Sequence, residues 1–404
     1  MSLALAACTD DAAPCAGPVE GNLCRALRIS GDDAGGELGF RFGEPLDLDG
    51  DGVEDLVAGA RRAGEPDLGM AGAWTREGAP LATWRGTDID GLFGHGITPV
   101  PDLDGGGAAD VLITAPNAIV DGDPRGVVEA RTLDGRTLWR AIGARYDGLG
   151  WQLARAGDRD GDGVEDVWAG APSNTATARV YLLSGATGAV LRTITSARTD
   201  DQFGWYVVAL DDLDGDGEDD LAIGAPTAAI DGVRRGAVSI VSAATGATLH
   251  ELTGERAGDA FGIMLAPVDD LDGDGHDELA VGVTDERAAT PGPGELQVFS
   301  AATGARLRRL PGREPGELYA RALARIDDLD GDGVRDLAIG APWWHGRDGR
   351  LELRSARTFA LLAEAHGDAA GWLGWHLIRA TGGVVASSLH LSSDRGALDL
   401  YLLR

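Results

Sequence analysis

Carboxylate is the most repetitive chemistry in this chain. The string Asp-x-Asp-Gly-Asp-Gly occurs with its second Asp at Asp49, Asp160, Asp214, Asp272 and Asp330, and a weakened copy is centred on Asp104. Each full string is followed by one more acid, giving four sets: Asp47/Asp49/Asp51/Asp55, Asp158/Asp160/Asp162/Asp166, Asp212/Asp214/Asp216/Asp220 and Asp328/Asp330/Asp332/Asp336. A fifth set, Asp270/Asp272/Asp274/Glu278, ends in a Glu, one methylene longer but still an oxygen donor. Four carboxylates crowded into nine residues repel one another unless a cation sits among them.

The spacing says which cation. Carboxylates at positions one, three, five and nine, with a backbone carbonyl at seven, match the first nine positions of an EF-hand loop, including the Gly at six that allows the sharp turn. All-oxygen ligation on a flexible loop favours Ca²⁺ over Mg²⁺, and the absence of thiolates disfavours zinc. The carbonyl donors would come from Val53, Val164, Glu218, His276 and Val334. No helix is expected after the loop and no bidentate Glu is due at position twelve, so the loop should join two strands. In the weakened copy Gly106 replaces the third acid, leaving Asp102, Asp104 and Asp110 as a weak or empty site. The expectation is about five bound Ca²⁺ ions.

The elements that must carry these loops repeat with them. Successive strings lie 54 to 58 residues apart, a period that suits a four-stranded propeller blade with its loops. Nine residues before each string stands an aromatic residue or Leu followed by a small residue: Leu38-Gly39, Phe93-Gly94, Leu149-Gly150, Phe203-Gly204, Phe261-Gly262 and Tyr319-Ala320. After each string an apolar run closes, in three copies, at Gly-Ala-Pro (Gly170-Ala171-Pro172, Gly224-Ala225-Pro226 and Gly340-Ala341-Pro342). An alternating strand such as Gly236–Ser242 follows, then a turn on Ala-Thr-Gly and a fourth segment. No window has the apolar spacing of a helix.

This order resembles the FG-GAP repeats of integrin α N-terminal propellers, over almost the whole chain from about residue 22. The resemblance implies an all-β, seven-bladed propeller of four-stranded blades. Leu373-Gly374-Trp375 opens a seventh copy whose acidic loop has shrunk to Thr381-Gly382-Gly383, and whose fourth strand is missing. The segment Arg25–Gly31 precedes the first Leu-Gly pair, where a fourth strand belongs, so the N-terminal strand should close the last blade and seal the ring. Residues 22–404 would be the propeller and 1–21 a leader and linker.

Composition bounds the partners. A net charge of −30, with no lysine and all 35 basic residues Arg, argues against nucleic acid and anionic membranes. Five sites of four carboxylates take 20 of the 65 acidic residues, so Ca²⁺ explains part of the acidity. The run Leu5-Ala6-Ala7-Cys8 resembles a bacterial lipobox, which makes Cys8 a candidate for lipidation. No positive charge precedes it and its apolar stretch is short, so either the true start lies upstream or Ala-rich composition made the match. Cys15 and Cys24 could form one disulfide in an oxidising compartment. Nothing later is apolar for long enough to cross a bilayer as a helix.

Catalytic patterns are missing. None of the 7 His stands in His-Glu-x-x-His, and there is no Gly-x-Ser-x-Gly elbow. The reading is therefore an extracytoplasmic binding module, in a bacterial envelope or secreted, whose partner is a protein or glycan. The alternatives are a surface hydrolase or polysaccharide lyase with its site on the propeller face or axial channel, and a purely structural domain. If acidic loops occupy one face, the other carries Trp343, Trp344 and His345, and the loops 117–125 and 227–235. In integrin heads that other face binds ligand. Paired Trp in a loop suit a sugar platform or a protein hot spot, although packing between blades would also use them.

Overall fold

A computed structural model describes residues 23–403 except 34, 65, 174–176, 285–291 and 391–394. Seven antiparallel sheets make up the ring. Blade 4 shows the plan: Tyr206–Ala209, Leu221–Ala225, Ala237–Val241 and Thr248–Thr253 pair in sequence order. Its second and third strands are buried along their whole length, because neighbouring blades cover both faces. Its fourth strand alternates towards solvent, as an outer rim must. Blades 2, 3, 5 and 6 repeat this order, while blade 1 has three full strands (Leu56–Ala60, Met70–Trp74, Pro80–Arg85). Single bridges at Phe42–Ala58 and Leu46–Asp55 stand in for its first strand.

The repeated glycines hold adjacent blades together. A Cβ on Gly224, in the Gly-Ala-Pro of blade 4, would lie 2.1 Å from the carbonyl oxygen of Gly262, in the Phe-Gly of blade 5. Gly170 meets Gly204 and Gly340 meets Gly374 in the same way, each at 2.1 Å. The aromatic partner of the pair then forms a bridge to the preceding blade, as in Gly236–Phe261 and Gly294–Tyr319. Phe261 is fully buried among Val238, Leu252, Val281 and Leu296 from both blades. Both halves of the repeat thus serve one contact, and any side chain at the glycine would force the blades apart.

Blade 7 is closed by the N-terminal strand, as the missing fourth strand predicts. Leu23–Ser30 pairs antiparallel with Ala397–Leu403, from Leu23 opposite Leu403 to Ser30 opposite Ala397. Leu27 and Ile29 of this strand pack with Leu38, Phe42 and Leu56 of blade 1 and with Leu398 and Leu400 of blade 7. Arg28 grips the fully buried Asp399 with two hydrogen bonds, at 2.5 and 2.8 Å. Cys24, 5% exposed at the start of the strand, is disulfide-bonded. Cys8 and Cys15 lie outside the described residues. No helix among the described residues is long and apolar enough to cross a membrane. The one helical turn there, Trp344–Arg347, departs from the expectation of no helix. It is a tight turn, with His345 and Gly346 at φ +48 and +75.

Candidate metal centres

Each acidic loop joins the first strand of a blade to the second. In blade 4 it runs from Leu210 to Asp220, and Gly215 and Gly217 take φ of +77 and +92, which other residues resist. The amides exposed by this turn hold the first Asp in place. Asp212 accepts from Gly215 at 2.7 Å, Asp216 at 3.1 Å and Gly217 at 2.8 Å. Asp220, at the start of the second strand, accepts from Leu213 at 2.9 Å and from Ala243, on the turn between strands three and four, at 3.1 Å. One oxygen each from Asp212, Asp214 and Asp220 then lies within 4.8 Å of the others.

The same trio, at positions one, three and nine, converges in Asp47/Asp49/Asp55, Asp158/Asp160/Asp166 and Asp270/Asp272/Glu278. Blade 6 repeats the hydrogen bonds: Gly331 and Gly333 donate to Asp328, and Leu329 to Asp336. Position five is turned differently. Asp51, Asp162, Asp216, Asp274 and Asp332 each accept from the amide at position seven. Asp216 and Asp274 also face Ser242 and Ser300 hydroxyls at 3.4 Å. Side chains at position seven turn to neighbours: His276 meets Asp211 at 2.7 Å, and Glu218 meets Arg192 at 3.1 Å.

Electrostatics divides each loop in two. The ninth acid is buried, at 2% exposure or less in every copy. Burial pushes Asp55 and Asp336 up to about 6 and Glu278 up to about 7, against the opposing amide of the loop's Leu and with help from the neighbouring Asp charges. The first acid goes the other way: backbone amides hold Asp102, Asp212 and Asp328 below the usual carboxylate range. A buried acid facing two solvated carboxylates is a donor set in need of positive charge, and an all-oxygen one. These residues fit a hard divalent cation.

Blade 2 differs in kind. Asp102, Asp104 and Asp110 converge as in the other loops. Gly106 supplies no carboxylate, however, and the Arg136 guanidinium pairs directly with Asp104.

Acids just before the loops, outside the repeated string, stitch one blade to the next. Asp211 accepts from the Asp277 amide at 3.1 Å, Asp269 from Arg335 at 2.8 Å and Asp327 from Gly382 at 3.1 Å. Blade 7, whose own first loop has no acids, is thereby held on both sides. Arg379 bonds Asp327 of blade 6 at 2.6 Å, and the Thr381 hydroxyl bonds Glu54 of blade 1 at 2.7 Å. The paired acids Asp211-Asp212, Asp269-Asp270 and Asp327-Asp328 were the available signal.

On the opposite face the structure places Trp343 and Trp344 in the tight turn of blade 6, both half-buried. Trp343 meets Trp372 edge-on at 5.6 Å beneath the Arg347 guanidinium. Trp344 stacks on His366 at 4.4 Å and packs against the apolar core. His345 is the exposed member, with its side chain 70% accessible. The loops 117–125 and 227–235 each form a small hairpin, Ile119–Val120 with Asp123–Pro124 and Ala229–Ile230 with Val233–Arg234. A cavity of about 190 Å³ opens on this face, lined by Pro116, Tyr146, Trp151, Pro172 and Trp205 among others.

A family model for the FG-GAP repeat matches residues 204–241 and 320–351. Integrin alpha-V of Gallus gallus is 32% identical over 155 residues, 37% of this chain and 15% of that protein. Integrin alpha-PS5 of Drosophila melanogaster is 35% identical over 184 residues, 42% of this chain and 18% of that protein. Integrin alpha-4 of Xenopus laevis is 30% identical over 212 residues, 48% of this chain and 20% of that protein. The chain thus matches a fifth or less of each relative's length. A crystal structure of BBS1N in complex with ARL6DN superimposes with a TM-score of 0.59 at 12% identity, over 96% of this chain and 98% of that one, a likeness of fold. The chain is a seven-bladed β-propeller that carries FG-GAP repeats and is similar in part to integrin α chains.

Proposed function

We propose that this chain is a calcium-stabilised binding propeller, displayed outside the cytoplasm on a cell envelope or secreted, that holds a protein or glycan on the face opposite its acidic loops. One observation carries the metal: the five full loops share the same hydrogen-bonded turn, each sealing a ninth acid in the core beside carboxylates still in solvent. Asp47, Asp49, Asp51, Asp55 and their counterparts would hold Ca²⁺, with the carbonyls of Val53, Val164, Glu218, His276 and Val334 completing each site. The ion supplies charge neutralisation, not chemistry on a substrate. It locks the loop that joins strands one and two to the turn that joins strands three and four.

The binding role draws support from the similarity to integrin α chains, and the metal-free face offers loops, a cavity and exposed His345 for contact. Trp343, Trp344 and His345 are the first place to look for a partner there. Cys8 is the proposed point of lipid attachment. Two measurements test the reading. Calorimetric titration of cation-free protein should show Ca²⁺ binding at about five sites in preference to Mg²⁺. Glycan and protein arrays probed with and without EGTA should return ligands that His345→Ala weakens at unchanged Tm and that Trp344→Ala weakens with some loss of Tm. Absence of Ca²⁺ uptake would defeat the metal assignment. Ligand binding indifferent to both substitutions would remove blade 6 from the ligand face.

A further inference from the structure

The residue after each of the six Phe-Gly or Leu-Gly pairs, and after Tyr319-Ala320, leads into or lies in the innermost strand of its blade, so seven such residues ring the axis at the end away from the acidic loops. They are not typical of this aromatic-poor chain: Phe40, His95, Trp151, Trp205 and Trp375, with Arg321 in blade 6 and Ile263 in blade 5. Ring contacts run from blade to blade, Phe40 to His95 at 5.0 Å, His95 to Trp151 at 4.5 Å and Trp151 to Trp205 at 4.5 Å. The Arg321 guanidinium lies 4.2 Å from the Trp375 ring and Arg61 lies 3.4 Å from Phe40.

One residue deeper, Arg41 of blade 1 crosses the axis. Its guanidinium donates to Gln152 Oε1 of blade 3 at 2.5 Å and stands 5.5 Å from the Tyr206 ring of blade 4. It pairs with no carboxylate among the described residues, whereas Arg61 has Glu37 at 2.7 Å. Burial first, then repulsion from Arg321 and Arg61, pushes Arg41 down to about 10. Two further polar side chains here have no hydrogen-bond partner among the described residues: both nitrogens of the fully buried His95 ring, and Trp151 Nε1. Burial holds His95 and His376 well below the usual histidine range, so each is neutral. A concentration of guanidinium groups on the axis of a chain with net charge −30 calls for a purpose.

We infer that the axial collar is a binding site for a carboxylate carried on a flat apolar group. The carboxylate would enter from the face opposite the acidic loops and meet the Arg41 fork and the His95 N–H. Its apolar body would lie on the Trp151, Trp205 and Trp375 indoles. Trp151 and Trp205 also line the cavity on that face. Guanidinium and carboxylate make the paired hydrogen bonds that a lone ammonium does not, and stacking on indole adds to them. The site is separate from the metal loops and from the Trp343–His345 turn, so it stands or falls apart from the function proposed above.

The test uses the full chain with Ca²⁺ and compares 3-phenylpropionate with phenethylammonium, which share shape and differ in charge, by calorimetry and Trp fluorescence. The anion should bind and the cation should not. Arg41→Met should weaken the anion about tenfold or more, and Arg41→Lys, which keeps the charge without the fork, should restore it in part. If Arg41→Met fails to fold, His95→Phe, with expected weakening of severalfold, carries the test. A peptide ending in Phe, beside its C-terminal amide, separates the sources. Binding of the free-acid peptide with no response to phenylpropionate assigns the site to a protein terminus, and binding of both admits a small molecule. The proposal is overturned if the cation binds as well as the anion, if neither anionic probe binds, or if Arg41→Met and His95→Phe bind unchanged.

Discussion

Blades 4 and 2 carry the same loop in different surroundings. Both bring three carboxylates together within 4.8 Å, and both bury the ninth acid. Blade 4 adds Asp216, whose carboxylate faces the Ser242 hydroxyl on the adjoining turn. Blade 2 has Gly106 there, and an internal cation, Arg136, sits on Asp104. Convergence is therefore a property of the turn, whose amides hold the first acid whether or not a metal is intended. In the proposed reading, the fifth position and the positive charge that the chain itself supplies set the difference in capacity for an ion.

The largest test of that difference is removal of cations altogether. With dissociation constants of ~0.1–1 mM, five independent sites at about 2 mM Ca²⁺ contribute about 3–9 kcal/mol. EGTA should lower Tm by several degrees in thermal denaturation, and an unchanged Tm would remove metal from the account of every blade. Single loops come next. Asp214→Ala should cost about one ion in calorimetric stoichiometry and roughly 0.6–1.8 kcal/mol of calcium-dependent stability, while Asp104→Ala should change neither. Equal effects in the two blades would erase the contrast.

The contrast can also be reversed. A Cβ at Gly106 would meet only the Asp104 carboxylate, at 2.7 Å, a flexible neighbour that moves when it binds an ion. Gly106→Asp combined with Arg136→Ala should raise the stoichiometry by one, whereas Gly106→Asp alone should do less because Arg136 still competes for Asp104.

The smallest effect is on pH. A carboxyl raised on folding stabilises the folded state below its unfolded pKa, near 4, and that contribution is lost as pH rises through the folded value. Asp55 and Asp336, raised to about 6, and Glu278, raised to about 7, set the window. Cation-free protein should be more stable near pH 5 than at pH 8, and the gain from Ca²⁺ should grow over the same interval. A calcium-dependent rise in Tm that is flat across these pH values would place the ion away from the ninth acid.

Local chemistry was legible in the sequence because it is local. The acidic strings, their spacing and the missing fourth strand of blade 7 announce the loops, the blade count and the closing partner, since each depends on neighbours in the chain or on one unpaired edge. Asp211, Asp269 and Asp327 were harder, because each acts on a loop about a blade's length away and looks like one more acid in an acidic run. The axial collar was harder still. Phe40, His95 and Trp151 touch only because seven blades bend into a circle, and no periodicity along the chain says which side of a strand faces the centre. Trp343 and Trp344 show the converse: aromatic residues in a loop invite a surface role, yet both indoles are half-buried, beside Trp372 and His366.

Closure by the N-terminal strand sets an order in time. Arg28 and Asp399 are separated by 371 residues, so the first strand to leave the ribosome waits for the last before it can pair. Bringing such distant segments together costs roughly 5 kcal/mol of loop entropy if the intervening chain is disordered. Blades 1 to 6 reduce that cost by docking one on another first. Until the last strand emerges, the ring is an open arc with bare edges at both ends, prone to aggregate.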